Sequence, residues 1–168
     1  MNRLAAAGLA LLTAVWLTAC GWQLRGVVDL DMESLALQGA SEDLRSPLRR
    51  SLRDSGVEVT DGAEWSLHIL EEDFNERTVR VDERGRSAGL ELRYEARWEL
   101  RDSEGEARLP DQSVSVLRFL DVDPGRALAT DDEKAAMKDD MYSDAALQIM
   151  MQLRHIAPSA LPEKERED

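Results

Sequence analysis

The chain has 168 residues, with 34 acidic side chains against 21 basic ones and a formal net charge of −13. That balance argues against a nucleic-acid binder, because neutralising phosphates needs a basic surface. A single cysteine, Cys20, argues against a disulfide framework or a thiolate metal site, and the length suits one domain.

Met1-Asn2-Arg3 is a short positive start, and Leu4 to Leu17 is almost wholly apolar, with small residues just before Cys20. This is the pattern of a secretory signal, and it is shorter than the roughly 20 apolar residues that span a bilayer. The stretch Leu17-Thr18-Ala19-Cys20 fits the bacterial lipobox. Small side chains at Thr18 and Ala19 leave the Cys20 thiol open to alkylation by diacylglycerol, after which cleavage exposes an amine for an N-acyl chain. These acyl groups are the only covalent additions expected, with no further cofactor, and two or three chains anchor a protein stably. A buried cysteine closing a transmembrane helix is the competing reading, and both length and flanks oppose it. Residues 1–19 are thus expected to be removed, and 20–32 to tether a domain over 33–157. Loss of Arg3 makes the mature chain more acidic still. Gly21 after the cysteine, rather than an aspartate, resembles an outer-membrane address.

Glu33 to Gln38 reads as a first strand, with Leu35 and Leu37 on one face. Leu44, Leu48 and Leu52 form one stripe of a helix, with Ser46 as N-cap, Pro47 in the first turn and Gly56 at the end. The arginines between these leucines are its solvated face. Val57 to Val59 extends the sheet, and Asp61-Gly62 turns. Trp65, Leu67 and Ile69 then alternate with polar residues, as does a separate piece over 77–81 that ends in Asp82-Glu83-Arg84-Gly85-Arg86. The clearest alternation follows. Leu90, Leu92, Tyr94, Ala96, Trp98 and Leu100 occupy one face of a strand, and Glu91 to Arg101 alternates Glu with Arg on the other. Asp102 to Gly105 turns, and a further strand covers about 112–121.

Thr130-Asp131-Asp132-Glu133 has the form of a capping box, opening a helix that runs to about Ile156 and is stopped by Pro158. Its stripe of Met137, Met141, Ala145, Ile149 and Leu153 reads first as core and second as an adaptable Met-rich groove. The tail over 158–168 is charged. The order of elements predicts an α+β domain, with two helices packed on one face of a four-stranded mixed or antiparallel sheet.

Chemistry is sparse. His68 and His155 lie in a strand and at a helix end, and neither has a partner in sequence. There is no Gly-x-Ser-x-Gly, HExxH or Walker loop. Asp121-Val122-Asp123 begins like a calcium loop, but Arg126 and Asp132 stand where that loop needs Gly and Glu. A binding or assembly protein is the expectation, rather than an enzyme.

Three groups of residues resemble the LptE family of lipopolysaccharide-assembly lipoproteins, also called rare lipoprotein B. The first is Cys20-Gly21-Trp22-Gln23-Leu24-Arg25-Gly26. The second is Gly85-Arg86-Ser87-Ala88, leading to Leu92 and Tyr94. The third is Ala127-Leu128-Ala129, followed by an acidic helix start, Met141-Tyr142 and Ala145. The resemblance implies two helices on a four-stranded sheet and a non-enzymatic role. It also implies an outer-membrane location and 1:1 pairing with the LptD β-barrel, whose polar lumen such proteins plug from the periplasmic side. Lipopolysaccharide is the implied ligand, since cations must meet its phosphates. The family places such cations at the hairpin before the long strand and at the start of the second long helix. Here those regions hold Arg84, Arg86 and Arg126, with Arg118 on the strand between; the second helix entry itself is Thr130-Asp131-Asp132. The alternative is a free-standing periplasmic lipoprotein that binds or scaffolds a different envelope complex.

Overall fold

The longest alternation in the sequence becomes the spine of the fold. In a computed structural model, residues 30, 32–109, 111–123, 125 and 127–160 are described. Cys20, Arg126, the signal, most of the tether and residues 161–168 lie outside them. The elements run β1 (Ser34–Gln38), α1 (Glu42–Asp54), β2 (Glu58–Val59), β3 (Ser66–Val81), β4 (Ser87–Arg101), β5 (Gln112–Asp121) and α2 (Ala127–Ala160). The sheet has five strands in the order β2-β1-β3-β4-β5. β1 runs parallel to both of its neighbours, and the β3–β4 and β4–β5 pairs are antiparallel. The class is α+β as expected, with one strand more than the four expected; β2 is a two-residue edge strand beside β1.

The six apolar side chains of β4 are all buried. They meet Leu44, Leu48 and Leu52 of α1 and Met141, Ala145, Ile149, Met150 and Leu153 of α2 in one cluster, so both helices cover the same face. Burying each leucine fully contributes about 2 kcal/mol. The Met stripe is core, not groove. Leu30, placed in the tether by sequence, is 6% exposed and joins this cluster.

β3 corrects the expectation of two separate alternating pieces. An extra residue between Ile69 and Glu71 makes a bulge, and a second irregularity lies between Thr78 and Val81. Because side chains alternate with period two, one extra residue exchanges the faces. Leu67 and Ile69 face the helices before the bulge, and Glu72 and Phe74 face them after it. Gly39, after β1, has φ +77°, and a Cβ there would stand 2.2 Å from the Ile69 carbonyl oxygen, so this close crossing admits only glycine.

Both helices start earlier than expected. Ser41, not Ser46, caps α1, with its Oγ accepting from the Leu44 amide at 3.3 Å. Pro47 therefore lies inside the helix, where it forgoes the bond to the Asp43 carbonyl. α2 begins at Ala127, so Thr130 sits within its first turn rather than at its cap. It continues to Ala160, past Pro158, which stands close enough to the end that few bonds are lost.

Candidate functional site

Two turns of one design close the ends of β4. In the β3–β4 turn, the Asp82 amide donates to the Arg86 carbonyl at 2.8 Å, and the Gly85 amide donates to the Asp82 carbonyl at 3.0 Å. The Asp82 carboxylate accepts from the Arg84 and Arg86 amides, both at 2.9 Å. Gly85 takes φ +73°, which completes the turn. At the other end, Asp102, Glu104, Gly105 and Glu106 repeat the same bonds at 3.0–3.1 Å. The difference is charge. The first turn sets Arg84 and Arg86 beside Asp82 and Glu83 and is neutral as a whole, and the second carries Asp102, Glu104 and Glu106 with no cation. β4 has 15 residues, which separates the two turns by roughly 50 Å.

The first turn holds its two arginines differently. Arg86 is held by Asp82, its Nε at 2.8 Å from Oδ2. The Arg84 side chain is exposed and makes no ion pair among the described residues. The Arg86 amide, first among several donors, holds the Asp82 carboxyl below its ordinary value. Sequence reasoning missed the supporting cations. Arg80 bonds the Ala88 carbonyl at 2.9 Å and pairs with Asp121, while Arg77 pairs with Glu91 at 3.0 Å. From α2, Lys134 reaches Glu76 at 3.3 Å, and Lys138 lies 4.4 Å from the Phe74 ring centre. The 77–81 alternation was the available signal for Arg77 and Arg80, but the irregularities in β3 hid their face.

Arg118 does not join this cluster. It lies opposite Leu92, about 17 Å down β4 from Ser87, on the helix-facing side. There it pairs with Asp144 of α2 and bonds the Leu117 carbonyl. It is a strand-to-helix tie. Arg126 lies outside the described residues; the Val122 amide, just past the end of β5, donates to the Ala88 carbonyl at 3.2 Å.

The other polar features have structural explanations. His68 Nε2 meets Ser66 Oγ at 3.0 Å, but Glu99, opposite His68 in register, bonds Arg101 instead. Burial, then the Arg101 charge, lowers the His68 pKa. A groove of about 350 Å³ on the open face is lined by Glu71, Asp73, Glu95, Arg97, Ser113 and Ser115. Its Glu71 and Glu95 are paired with Arg97 and Arg93. No cluster of three or more metal-binding side chains occurs among the described residues. No described helix is long and apolar enough to cross a membrane.

Comparison with known proteins decides the family. The model of the LptE family, described as lipopolysaccharide-assembly, matches residues 32–153. The chain belongs to the LptE family. It is 31% identical over 154 residues to the LPS-assembly lipoprotein LptE of Photorhabdus laumondii, covering 83% of this chain and 80% of that one. It is 30% identical to the LptE of Pectobacterium atrosepticum, over 86% and 83% of the two chains. Among solved structures, lipoprotein B from Nitrosomonas europaea superposes with a TM-score of 0.69 at 24% identity, covering 88% of this chain and 99% of that one. Rare lipoprotein B from Shewanella oneidensis gives 0.66 at 23%, over 76% and 98%. These two share the fold. The groups at Gly85–Tyr94 and Ala127–Ala145 lie within the matched range, and Cys20–Gly26 lies before it.

Proposed function

We propose that this LptE-family protein is an outer-membrane lipoprotein, anchored through acylated Cys20, that plugs the LptD β-barrel and passes lipopolysaccharide toward the outer leaflet. The single observation that carries the reading is the polarity of the molecule along β4. β1 starts at the acidic end, since Ala36 pairs with Ser66 and Ser66 with Arg101. The chain therefore enters from its anchor beside Glu104 and Glu106, and Arg84 and Arg86 point away from the anchored leaflet. A net charge of −13 alone opposes a phosphorylated ligand, but the acidity of the far end is screened over a distance of roughly 50 Å. Arg84 and Arg86 meet the phosphates, with Asp82 orienting Arg86. The charged open face of the sheet suits a polar barrel lumen.

Isolation of the tagged chain from native outer membranes in detergent tests this. The barrel and lipopolysaccharide should both co-purify, and Arg84→Glu with Arg86→Glu should retain the barrel while losing about tenfold in lipopolysaccharide affinity, or about 1.4 kcal/mol. Recovery of free monomer, or unchanged affinity in the double variant, would overturn the respective half.

A further inference from the structure

Gly89 sits within β4, opposite Arg80 of β3 on one side and Asp121 of β5 on the other. A glycine inside a strand is unfavourable and ordinarily marks a bulge or a close approach. Gly89 does not take a positive φ, so its backbone does not demand glycine. Its surroundings do. A Cβ there would lie 3.2 Å from the Arg80 Cβ, 3.6 Å from its Cζ and 3.7 Å from its Nε. The Arg80 side chain therefore lies across β4 on the open face and leaves Gly89 buried. From there it donates to the Ala88 carbonyl at 2.9 Å and pairs with the Asp121 carboxylate on the far strand.

The irregular end of β3 delivers that arginine. Thr78 opposes Leu90 on the helix-facing side, so strict alternation would set Val79 against Gly89 and turn Arg80 toward the helices. The irregularity between Thr78 and Arg80 adds one residue, which brings Arg80 opposite Gly89 on the open face. Support from the rest of the sheet runs out at the same level. The pairing of β1 with β3 ends at His68, and the β4–β5 ladder closes at the Gly89–Asp121 rung. A two-stranded ribbon is marginal by itself, so the tip beyond this rung depends on what ties it down. The Arg80 and Asp121 side chains are 60% and 88% exposed, and an exposed pair contributes little to global stability. Its effect is on the placement of the tip.

We propose that Arg80 is a positioning residue for the Arg84–Arg86 turn. With Gly89 giving it clearance and Asp121 holding its far end, it fixes the base of the hairpin to β5, so that both turn arginines meet phosphate in one geometry. The proposal rests on the lipopolysaccharide reading above. Arg80 is not itself the ligand contact, because its guanidinium is turned across the sheet to β5 and not toward the turn.

A double-mutant cycle on the full acylated chain in detergent, read as affinity for lipopolysaccharide of the same organism, tests this. Arg80→Gln should weaken binding about fivefold with the thermal transition retained. Gly89→Val, which displaces the Arg80 side chain, should do the same, and Asp121→Asn, which alters no packing, reads that loss independently. In a chain that already carries Arg84→Ala and Arg86→Ala, Arg80→Gln should have no further effect, because nothing is left to position. An equal further loss in that background would make Arg80 a phosphate contact in its own right and overturn the positioning role. Unchanged affinity in Arg80→Gln, beside a loss in the Arg84→Ala and Arg86→Ala chain, would overturn it and leave the lipopolysaccharide reading standing. No loss in the Arg84→Ala and Arg86→Ala chain would overturn both.

Discussion

At the scale of single residues, Glu72 ties three elements together. Its carboxylate accepts from the Ser41 amide at 2.6 Å, the Ser41 hydroxyl at 2.8 Å and the Tyr94 hydroxyl at 2.7 Å. It thereby joins β3, β4 and the cap of α1, above an aromatic group in which Tyr94 and Tyr142 stand edge to face at 4.8 Å. Burial, then the bond to Glu72, raises the Tyr94 pKa far above its ordinary value. Tyr94→Phe should cost about 1.5 kcal/mol in denaturant unfolding, as expected for a bond to a charged acceptor; an unchanged midpoint would show the bond contributes nothing. Asp82 gives a pH prediction. Its folded value lies below 3.8, so the turn's contribution is complete above 3.8 and is lost as pH falls through the folded value. The Arg86 amide resonance should titrate with a midpoint under 3.8, and a midpoint at or above it would mean the carboxylate is not held.

Among the elements, periodicity was legible where side chains alternate without interruption. β5 has the bounds read from sequence, and the β4 faces and the buried α2 stripe are as expected. β3 was not legible as one strand, because Leu70 shifts the alternation and the acidic run beyond it resembles a loop. α1 was misread at its start because Pro47 was weighed as a first-turn residue, when tertiary packing of Leu44 and the Ser41–Glu72 bonds hold an earlier turn. The turn that carries Arg84 and Arg86 was legible from its Asp-x-x-Gly pattern. The Arg118–Asp144 pair spans 26 residues and two elements, so no local signal could show that Arg118 was engaged. The bulge offers its own test. Deleting Leu70 removes only the extra residue, since Glu71 already opposes Arg97 next to the Ile69–Trp98 pair. Inserting one alanine after Glu71 should instead turn Glu72 and Phe74 to the open face and destabilise by about 3 kcal/mol or more, whereas Leu70→Ser, at a site 41% exposed, should stay within about 0.5 kcal/mol. Equal effects in chemical unfolding would contradict the face exchange.

For the whole molecule, the governing feature is that one turn design is used twice, once with two arginines beside two carboxylates and once with three carboxylates and no cation. The frameworks at Asp82 and Asp102 share their backbone bonds, so what distinguishes the two ends is side-chain chemistry rather than shape. With β1 starting at the acidic end, the proposed membrane attachment and the proposed ligand contact are separated by the length of β4. The measurement that tests this most directly is photo-crosslinking in living cells, with a benzoylphenylalanine placed at position 84 in one strain and at position 104 in another. The account predicts lipopolysaccharide adducts from position 84 and none from position 104. Adducts from position 104, or equal yields from both, would contradict it.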